Sequence, residues 1–334
     1  MTVSDLARDR RQNPDYRLCL GKRAEESAPP SFSGGVTWYG STIASTRHFC
    51  SLCPVHDLRE RAWAAGFFDA EGSTGVRSNS DRHIYSIRIQ VGQSNRTLGG
   101  AVLVRFREAV GGEGTIYGPD ERGIFSYSTN GVASVSALRA IEHIQPWLGD
   151  VKRRQFRDAV ESLLQHASES ARRPIGELSA FRRTRLEFLH RVLREIDQPA
   201  PPQRVDQETD LAWAAGLFDG DGSVSVASKS WKNGPRYLTV RASVAQSGSD
   251  GVPAVLSRFG AVVGFGSIYG PNNRANNLPE YQWKVQNYRG VAQLVELLRD
   301  HLSPPKLRQA EVALKLHLST PHRRKATLRL ARPV

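Results

Sequence analysis

The chain has 334 residues, 39% of them hydrophobic, which is long and apolar enough for two folded domains with separate cores and excludes a largely disordered chain. Its 46 Lys+Arg against 33 Asp+Glu give a formal charge of +13, a balance that suits a polyanionic partner, most simply nucleic acid, although a solvated basic surface carries the same number. No apolar run approaches the roughly 18 residues of a bilayer span, and a start containing Asp5, Arg8, Asp9, Arg10 and Arg11 lacks a signal-peptide core, so a soluble intracellular protein is expected, cytoplasmic in a prokaryote or organellar in a eukaryote.

In chain order, residues 1–56 are rich in Arg, Ser, Pro and Gly without a sustained period and read as a weakly ordered extension. This extension holds all three cysteines, Cys19, Cys50 and Cys53, so no later segment contains an internal disulfide. His48, Cys50, Cys53 and His56 have the spacing of a small zinc knuckle, or are an incidental cluster in a loose leader. A first unit, residues 57–168, opens with a helix over 57–70 capped by Asp57 and ending at Gly72. Strands over 73–78 and 84–91 follow, in which Ile87, Ile89 and Val91 alternate with Ser86, Arg88 and Gln90, giving one apolar face and one polar, basic face. The unit continues with a helix over 98–110, a hairpin carrying Gly114-Thr115-Ile116-Tyr117-Gly118-Pro119, a helix over 132–148 and a last helix opened by Lys152.

Residues 169–208 read as a linker, a charged helix over 177–196 and then the stiff Pro199-Ala200-Pro201-Pro202. The second unit, 209–320, repeats the first: a helix over 210–220 capped by Asp210 and ending at Gly222, then strands over 223–228 and 237–244. Here Val240, Ala242 and Val244 alternate with Thr239, Arg241 and Ser243. A helix over 251–262, a hairpin with Gly266-Ser267-Ile268-Tyr269-Gly270-Pro271, a helix over 291–302 and a last helix opened by Lys306 complete it. Residues 321–334 form a basic tail with Arg323, Arg324, Lys325, Arg329 and Arg332.

The repetition is explicit in the residues. Trp63-Ala64-Ala65-Gly66-Phe67-Phe68-Asp69-Ala70-Glu71-Gly72-Ser73 returns 150 positions later as Trp213-Ala214-Ala215-Gly216-Leu217-Phe218-Asp219-Gly220-Asp221-Gly222-Ser223. Val91-Gly92-Gln93-Ser94 returns as Val244-Ala245-Gln246-Ser247, and the order of the landmarks is kept, which marks domain duplication. Ala62, Gly66 and Ala70, like Ala212, Gly216 and Gly220, fall at four-residue spacing, so each helix offers a stripe without bulk along which two backbones can approach. Such a crossing leaves Glu71 and Asp221 adjacent at the base of the seam. Each carboxylate then faces the negative end of a helix dipole, about 0.3–1 kcal/mol in the wrong direction, and the two repel. Divalent cations bridging them would offset both costs, and hard oxygen ligands suit Mg2+. The bland alternative is two acids that merely end their helices near glycine. An EF-hand loop starting at Asp219 is excluded because its twelfth position is Ser230 instead of Glu.

These two signatures resemble those of a double-motif LAGLIDADG homing endonuclease, a monomer that imitates a two-fold dimer, and the resemblance spans residues 57–318. It implies an α+β fold of tandem duplicated αββαββα units, each with a curved antiparallel sheet, packed through the two motif helices. It also implies a site-specific double-strand DNA endonuclease that hydrolyses phosphodiester bonds with a divalent metal, Mg2+ with Mn2+ or Ca2+ as other occupants. Glu71 and Asp221 are then the metal-binding catalytic acids, with Ala70 and Gly220 in the metal site. Gln93 and Gln246 orient active-site water, Lys152 and Lys306 stabilise charge near the scissile phosphates, and Asp69 and Asp219 are structural residues at the seam. Arg96 assists in the first half only, because Gly248 and Ser249 offer no such cation in the second.

Recognition is expected from the polar sheet faces: Ser73, Arg77, Asn79, Ile84, Ser86, Arg88, Gln90 and Tyr117 in the first half, and Ser223, Ser225, Lys229, Tyr237, Thr239, Arg241, Ser243 and Tyr269 in the second. Arg and Lys donate to guanine, Gln and Asn pair with adenine, and a twisted two-stranded ribbon fits the major groove. The faces differ in identity, so the double-stranded target is long and only loosely pseudo-palindromic. Two other readings remain open, an RNA-binding intron maturase and a DNA-binding regulator without catalysis. An intein is not expected, since Met1 opens the chain and Pro333-Val334 ends it without splicing residues.

Overall fold

The computed structural model describes residues 58–79, 84–94, 99–129, 134–171, 187, 189–194, 207–230, 236–273 and 277–319. The cysteine-bearing leader, Asp57, Arg96, the proline-rich stretch 199–202 and the basic tail lie outside them.

Helix α1 (Leu58–Glu71) runs straight into β1 (Gly72–Asn79), which pairs antiparallel with β2 (Ile84–Ser94). After α2 (Gly99–Ala109) comes the hairpin of β3 (Thr115–Tyr117) and β4 (Ile124–Ser128), then α3 (Val135–Ile144), a 3-10 turn (Gln145–Trp147) and α4 (Asp150–Ala171). The second half repeats the order with α5 (Gln207–Asp221), β5 (Gly222–Ser230), β6 (Arg236–Ser247), α6 (Ala254–Val263), β7 (Ser267–Asn272), β8 (Glu280–Val285), α7 (Tyr288–Leu298) and α8 (Pro304–Leu318). Each half builds one antiparallel four-stranded sheet, in the orders β1-β2-β4-β3 and β5-β6-β8-β7.

The middle of each motif helix is buried on every side, Ala62 through Asp69 in one and Ala212 through Asp219 in the other, while their first turns carry charge. A helical stretch without a polar face must lie inside the protein, and α1 and α5 pack against each other there. In the sheets Ile87, Ile89 and Val91 of β2, like Val240, Ala242 and Val244 of β6, are buried with the helices, which leaves the alternate residues on the opposite face.

Several expectations are corrected. Asp210 is not a cap: α5 begins three residues earlier, at Gln207, and the Asp210 carboxylate sits in its first turn, paired with Arg258 at 3.1 Å. The ends at Gly72 and Gly222 stand as expected: each glycine directly follows its helix as the first strand residue, and a Cβ on them would lie 2.2 Å from the Phe68 ring and 2.2 Å from the Phe218 carbonyl oxygen. The helix expected over 132–148 stops at Ile144 and finishes as the 3-10 turn, which contains Pro146, a residue with no amide to donate. The helix expected over 291–302 is α7, shifted toward the N-terminus because Asn287 caps it, its side chain accepting from the Gly290 amide at 2.7 Å. Within the linker, residues 189–194 are helical, with Leu189 fully buried and Val192 and Leu193 packed on the core. Among the described residues no helix is long and apolar enough to cross a membrane.

Candidate active site at the helix seam

The seam is closed by reciprocal backbone contact. A Cβ placed on Gly66 would stand 1.9 Å from the Trp213 carbonyl oxygen, and one on Gly216 would stand 1.9 Å from the Trp63 carbonyl oxygen. Glycine is required at both positions, and its Cα–H points at the opposing carbonyl, the geometry of a weak C–H···O hydrogen bond. At the lower end of the stripe a Cβ on Gly220 would be 2.4 Å from the Ala70 Cβ and 3.0 Å from the Glu71 Cγ. Close approach therefore continues to the last residues of both helices.

Asp69 and Asp219 hold the seam laterally. The Trp213 indole Nε1 donates to Asp69 Oδ2 at 3.0 Å, and the Trp63 indole Nε1 donates to Asp219 Oδ2 at 2.8 Å, so each buried carboxylate is bonded by the other half. The Gly149 amide completes Asp69 at 3.0 Å, while the amide and hydroxyl of Ser303 both reach Asp219 at 2.8 Å. Burial is the main influence on both, pushing Asp69 up to about 6 and Asp219 upward, against the pull of these donors. Their full set of bonds within the protein fits the structural role expected of them.

The sequence reading missed two arginines that lock the tryptophans. The Arg105 guanidinium lies 3.9 Å from the Trp63 ring centroid, takes both Glu60 oxygens at 2.7 Å and donates across the seam to the His301 carbonyl at 2.8 Å. Arg258 does the same from the other side, 3.8 Å from the Trp213 ring, bonded to Asp210 and, at 2.7 Å, to the Trp147 carbonyl. A signal was present: the two arginines stand 153 positions apart, the same interval as Gln93 and Gln246.

Glu71 and Asp221 end up partly buried at the foot of this seam. Burial raises the Asp221 carboxyl to about 7, and the Glu71 charge adds to the rise, so the two acids feel each other directly. Burial also raises Glu71, opposed by its hydrogen bond from Gln93 and by the nearby charges of Lys306 and Lys152. Gln246 Nε2 donates to Asp221 Oδ2. Lys152 and Lys306, third residues of α4 and α8, reach back to the Gly72 and Gly222 carbonyls at 2.5 and 2.6 Å; burial lowers both ammonium groups, and the surrounding acids resist the change. Thus all six residues named as catalytic converge, each glutamine on its acid and each lysine at the first residue after it.

Among the described residues no group of three or more His, Cys, Asp or Glu side chains is arranged to hold a metal. The donor set is two carboxylates, beside the last-turn residues Ala70 and Gly220, whose carbonyls have no intrahelical donor. That set fits a hard cation such as Mg2+, which binds through one or two carboxylates and keeps water or phosphate oxygens in its remaining positions.

The residues named for recognition whose side chains are described fall on the sheet faces away from the core. Gln90 pairs with Ser73, Arg88 with Gly75, Ser86 with Arg77 and Ile84 with Asn79; Ser243 pairs with Ser223, Arg241 with Ser225 and Tyr237 with Lys229. Tyr117, the last residue of β3, and Tyr269, midway along β7, are exposed, and Thr239 lies on the same face of β6. The side chains of Asn79, Ile84, Lys229 and Tyr237 lie outside the described residues.

This architecture, two αββαββα units joined through paired motif helices with acids at their feet, is the double-motif LAGLIDADG homing endonuclease fold. The chain is similar to the LAGLIDADG homing endonuclease I-GzeII in complex with its DNA target, at 15% identity and a TM-score of 0.54 over 80% of this chain and 96% of that one. It is likewise similar to I-SmaMI bound to cleaved DNA (17% identity, TM-score 0.52, 80% and 95% covered) and to I-AabMI bound to uncleaved DNA (12%, 0.54, 80% and 92%). At these identities the likeness is one of fold. No family model matches the chain, and no curated protein matches it by sequence.

Proposed function

We propose that this protein is a site-specific double-strand DNA endonuclease, acting as a monomer on a long, loosely pseudo-palindromic duplex. The observation that carries the reading is the meeting of Glu71 and Asp221 at the end of the glycine seam, close enough for one acid to raise the other. Two acids held together at such cost have a use only if positive charge is brought to them. The fold supports DNA as the partner, since the similar I-GzeII and I-SmaMI structures contain it, and so does the formal charge of +13.

Glu71 and Asp221 would hold the divalent cation, Mg2+, with Ala70 and Gly220 beside them. When bound, such a cation supplies an activated water and charge stabilisation at the leaving 3′ oxygen. Gln93 and Gln246 fix the orientation of their acids and present the remaining amide atoms to an attacking water. Lys152 and Lys306 sit behind the acids as partly buried ammonium groups, where lowered local polarity strengthens their attraction for the charge that builds on the phosphate. The sheet faces grip the duplex on either side and so set which phosphates reach the seam.

The test is cleavage of a DNA library spanning the gene's insertion site, with Mg2+ and then with EDTA. Metal-dependent double-strand cutting is expected, lost in Glu71→Gln and in Asp221→Asn while binding survives. Specific binding without cutting would make the protein a regulator, and selective binding of structured intron RNA would make it a maturase.

A further inference from the structure

The outer faces of the two sheets differ in several residues, and one difference, between β4 and β8, places a cation in the second half where the first has a serine. Alternation along β8 buries Tyr281, Trp283 and Val285 and leaves Glu280, Gln282 and Lys284 on the opposite face. Lys284 stands in a row with Ser267 on β7 and Ser243 on β6, and Ser243 pairs with Ser223, two positions after Asp221. In the first half the same row reads Ser73, Gln90, Ser128 and Thr115, so a serine occupies the place of Lys284. None of the sheet residues first singled out for recognition lies on β4 or β8.

Arg88 and Arg241 are equivalent residues one row further out, and they lean in opposite directions. Arg88 Nε donates to Ser128 Oγ at 2.7 Å, toward β4, whereas Arg241 Nε donates to Ser225 Oγ at 2.9 Å, toward β5. Both neighbouring strands bear on the divergence: Arg88 stands opposite Gly75, which has no side chain to accept, and near the Ser128 hydroxyl, whereas Arg241 stands opposite the accepting Ser225 and near the Lys284 ammonium, which has only donors. Lys284 is steadied instead by Tyr269, its Nζ 5.5 Å from the ring centroid. The first half therefore turns one cation inward across its sheet. The second spreads two, Arg241 over β5 and Lys284 over β8.

We infer that Lys284 is a specificity-determining residue of the second half, an ammonium that reads guanine at a base pair whose counterpart in the first half meets Ser128 and no cation. The inference rests on the reading of the chain as a sequence-specific DNA endonuclease. β8 is an inner strand, flanked by β6 and β7, so Lys284 faces the floor of a major groove laid on the sheet, where guanine offers O6 and N7 acceptors. A row starting beside Asp221 places that base pair in the inner part of one half-site.

The test sorts a randomised duplex library by binding to the full-length protein in its wild-type, Lys284→Ser, Lys284→Arg and Ser128→Lys forms. Wild type is expected to enrich guanine at one inner position of one half-site, and Lys284→Ser to lose that preference by about tenfold while other positions keep theirs. Lys284→Arg retains it, and Ser128→Lys creates a guanine preference at the mirrored position of the other half-site. An even weakening on all sequences with a shallower salt dependence would make Lys284 a phosphate contact and overturn the inference, as would an unchanged profile. A wild type that enriches no sequence would overturn the endonuclease reading itself.

Discussion

Adding one methyl group at the seam, Gly66→Ala, tests the packing on which the site depends. The new Cβ would fall 1.9 Å from the Trp213 carbonyl oxygen, against an ordinary contact of 3.4 Å, so the helices must part by about 1.5 Å or the residue cannot be accommodated. The obstacle is backbone on both sides, which no rotamer change relieves. Overpacking of this kind costs about 1–3 kcal/mol. Separation also lengthens the Trp213–Asp69 and Trp63–Asp219 bonds from 3.0 and 2.8 Å to beyond hydrogen-bonding reach, at about 1.5–3 kcal/mol for each bond to a charged group. Alanine returns only about 1 kcal/mol through its better helix propensity. With partial relaxation the net loss is about 4 kcal/mol, a large share of the ~5–15 kcal/mol that holds a typical domain folded. Urea unfolding followed by tryptophan fluorescence measures it, because Trp63 and Trp213 are the reporters at the crossing. Gly75→Ala is the control, since a Cβ there meets no atom within 4 Å, and its stability should change by no more than about 1 kcal/mol. A Gly66→Ala protein as stable as this control would refute the seam geometry and the convergence of the acids with it.

The Asp221 carboxyl, raised from 3.8 to about 7 by burial and by Glu71, keeps a proton that the unfolded chain releases. Metal-free stability should therefore fall as pH rises from about 4 to about 7 and level off above. A cation that binds the ionised pair removes this penalty, so the Mg2+-induced rise in melting temperature should be larger at about pH 8 than at about pH 5.5; equal shifts would sink the assignment. Arg105→Met should destabilise by about 2–3 kcal/mol through loss of the stacked, doubly bonded guanidinium, and Arg105→Lys should recover little of it because an ammonium lacks the planar fork; full recovery in denaturation would show that charge alone matters there. Lys306→Met should slow single-turnover cleavage at saturating duplex far more than it weakens binding, and equal losses would reduce Lys306 to a structural contact with Gly222.

Much of this was legible in the order of residues. Duplication showed in the two motifs, strands showed in the alternation of Ile87, Ile89 and Val91 with polar neighbours, and the close-packed stripe showed in Gly66 and Gly216, because period and side-chain size are local properties. The acids and their glutamines could be named for the same reason, as matched positions in two copies. Local pattern failed where a distant partner decided the outcome. Asp210 has the chemistry of a cap, yet α5 extends past it, and the carboxylate is claimed by an arginine that is itself stacked on Trp213. Arg105 and Arg258 look like any surface cations until the chain folds and sets each against the indole of its own half and a carbonyl of the opposite one. The opposite leanings of Arg88 and Arg241 depend on what stands on the strands to either side, Gly75 and Ser128 in one sheet, Ser225 and Lys284 in the other, and register is fixed only when the sheet forms. The sequence by itself determined which groups were available and how often they repeat; tertiary structure alone decided which of them meet, since interactions that act over a few ångströms cannot be assigned between residues some 150 positions apart until the backbone has brought them together.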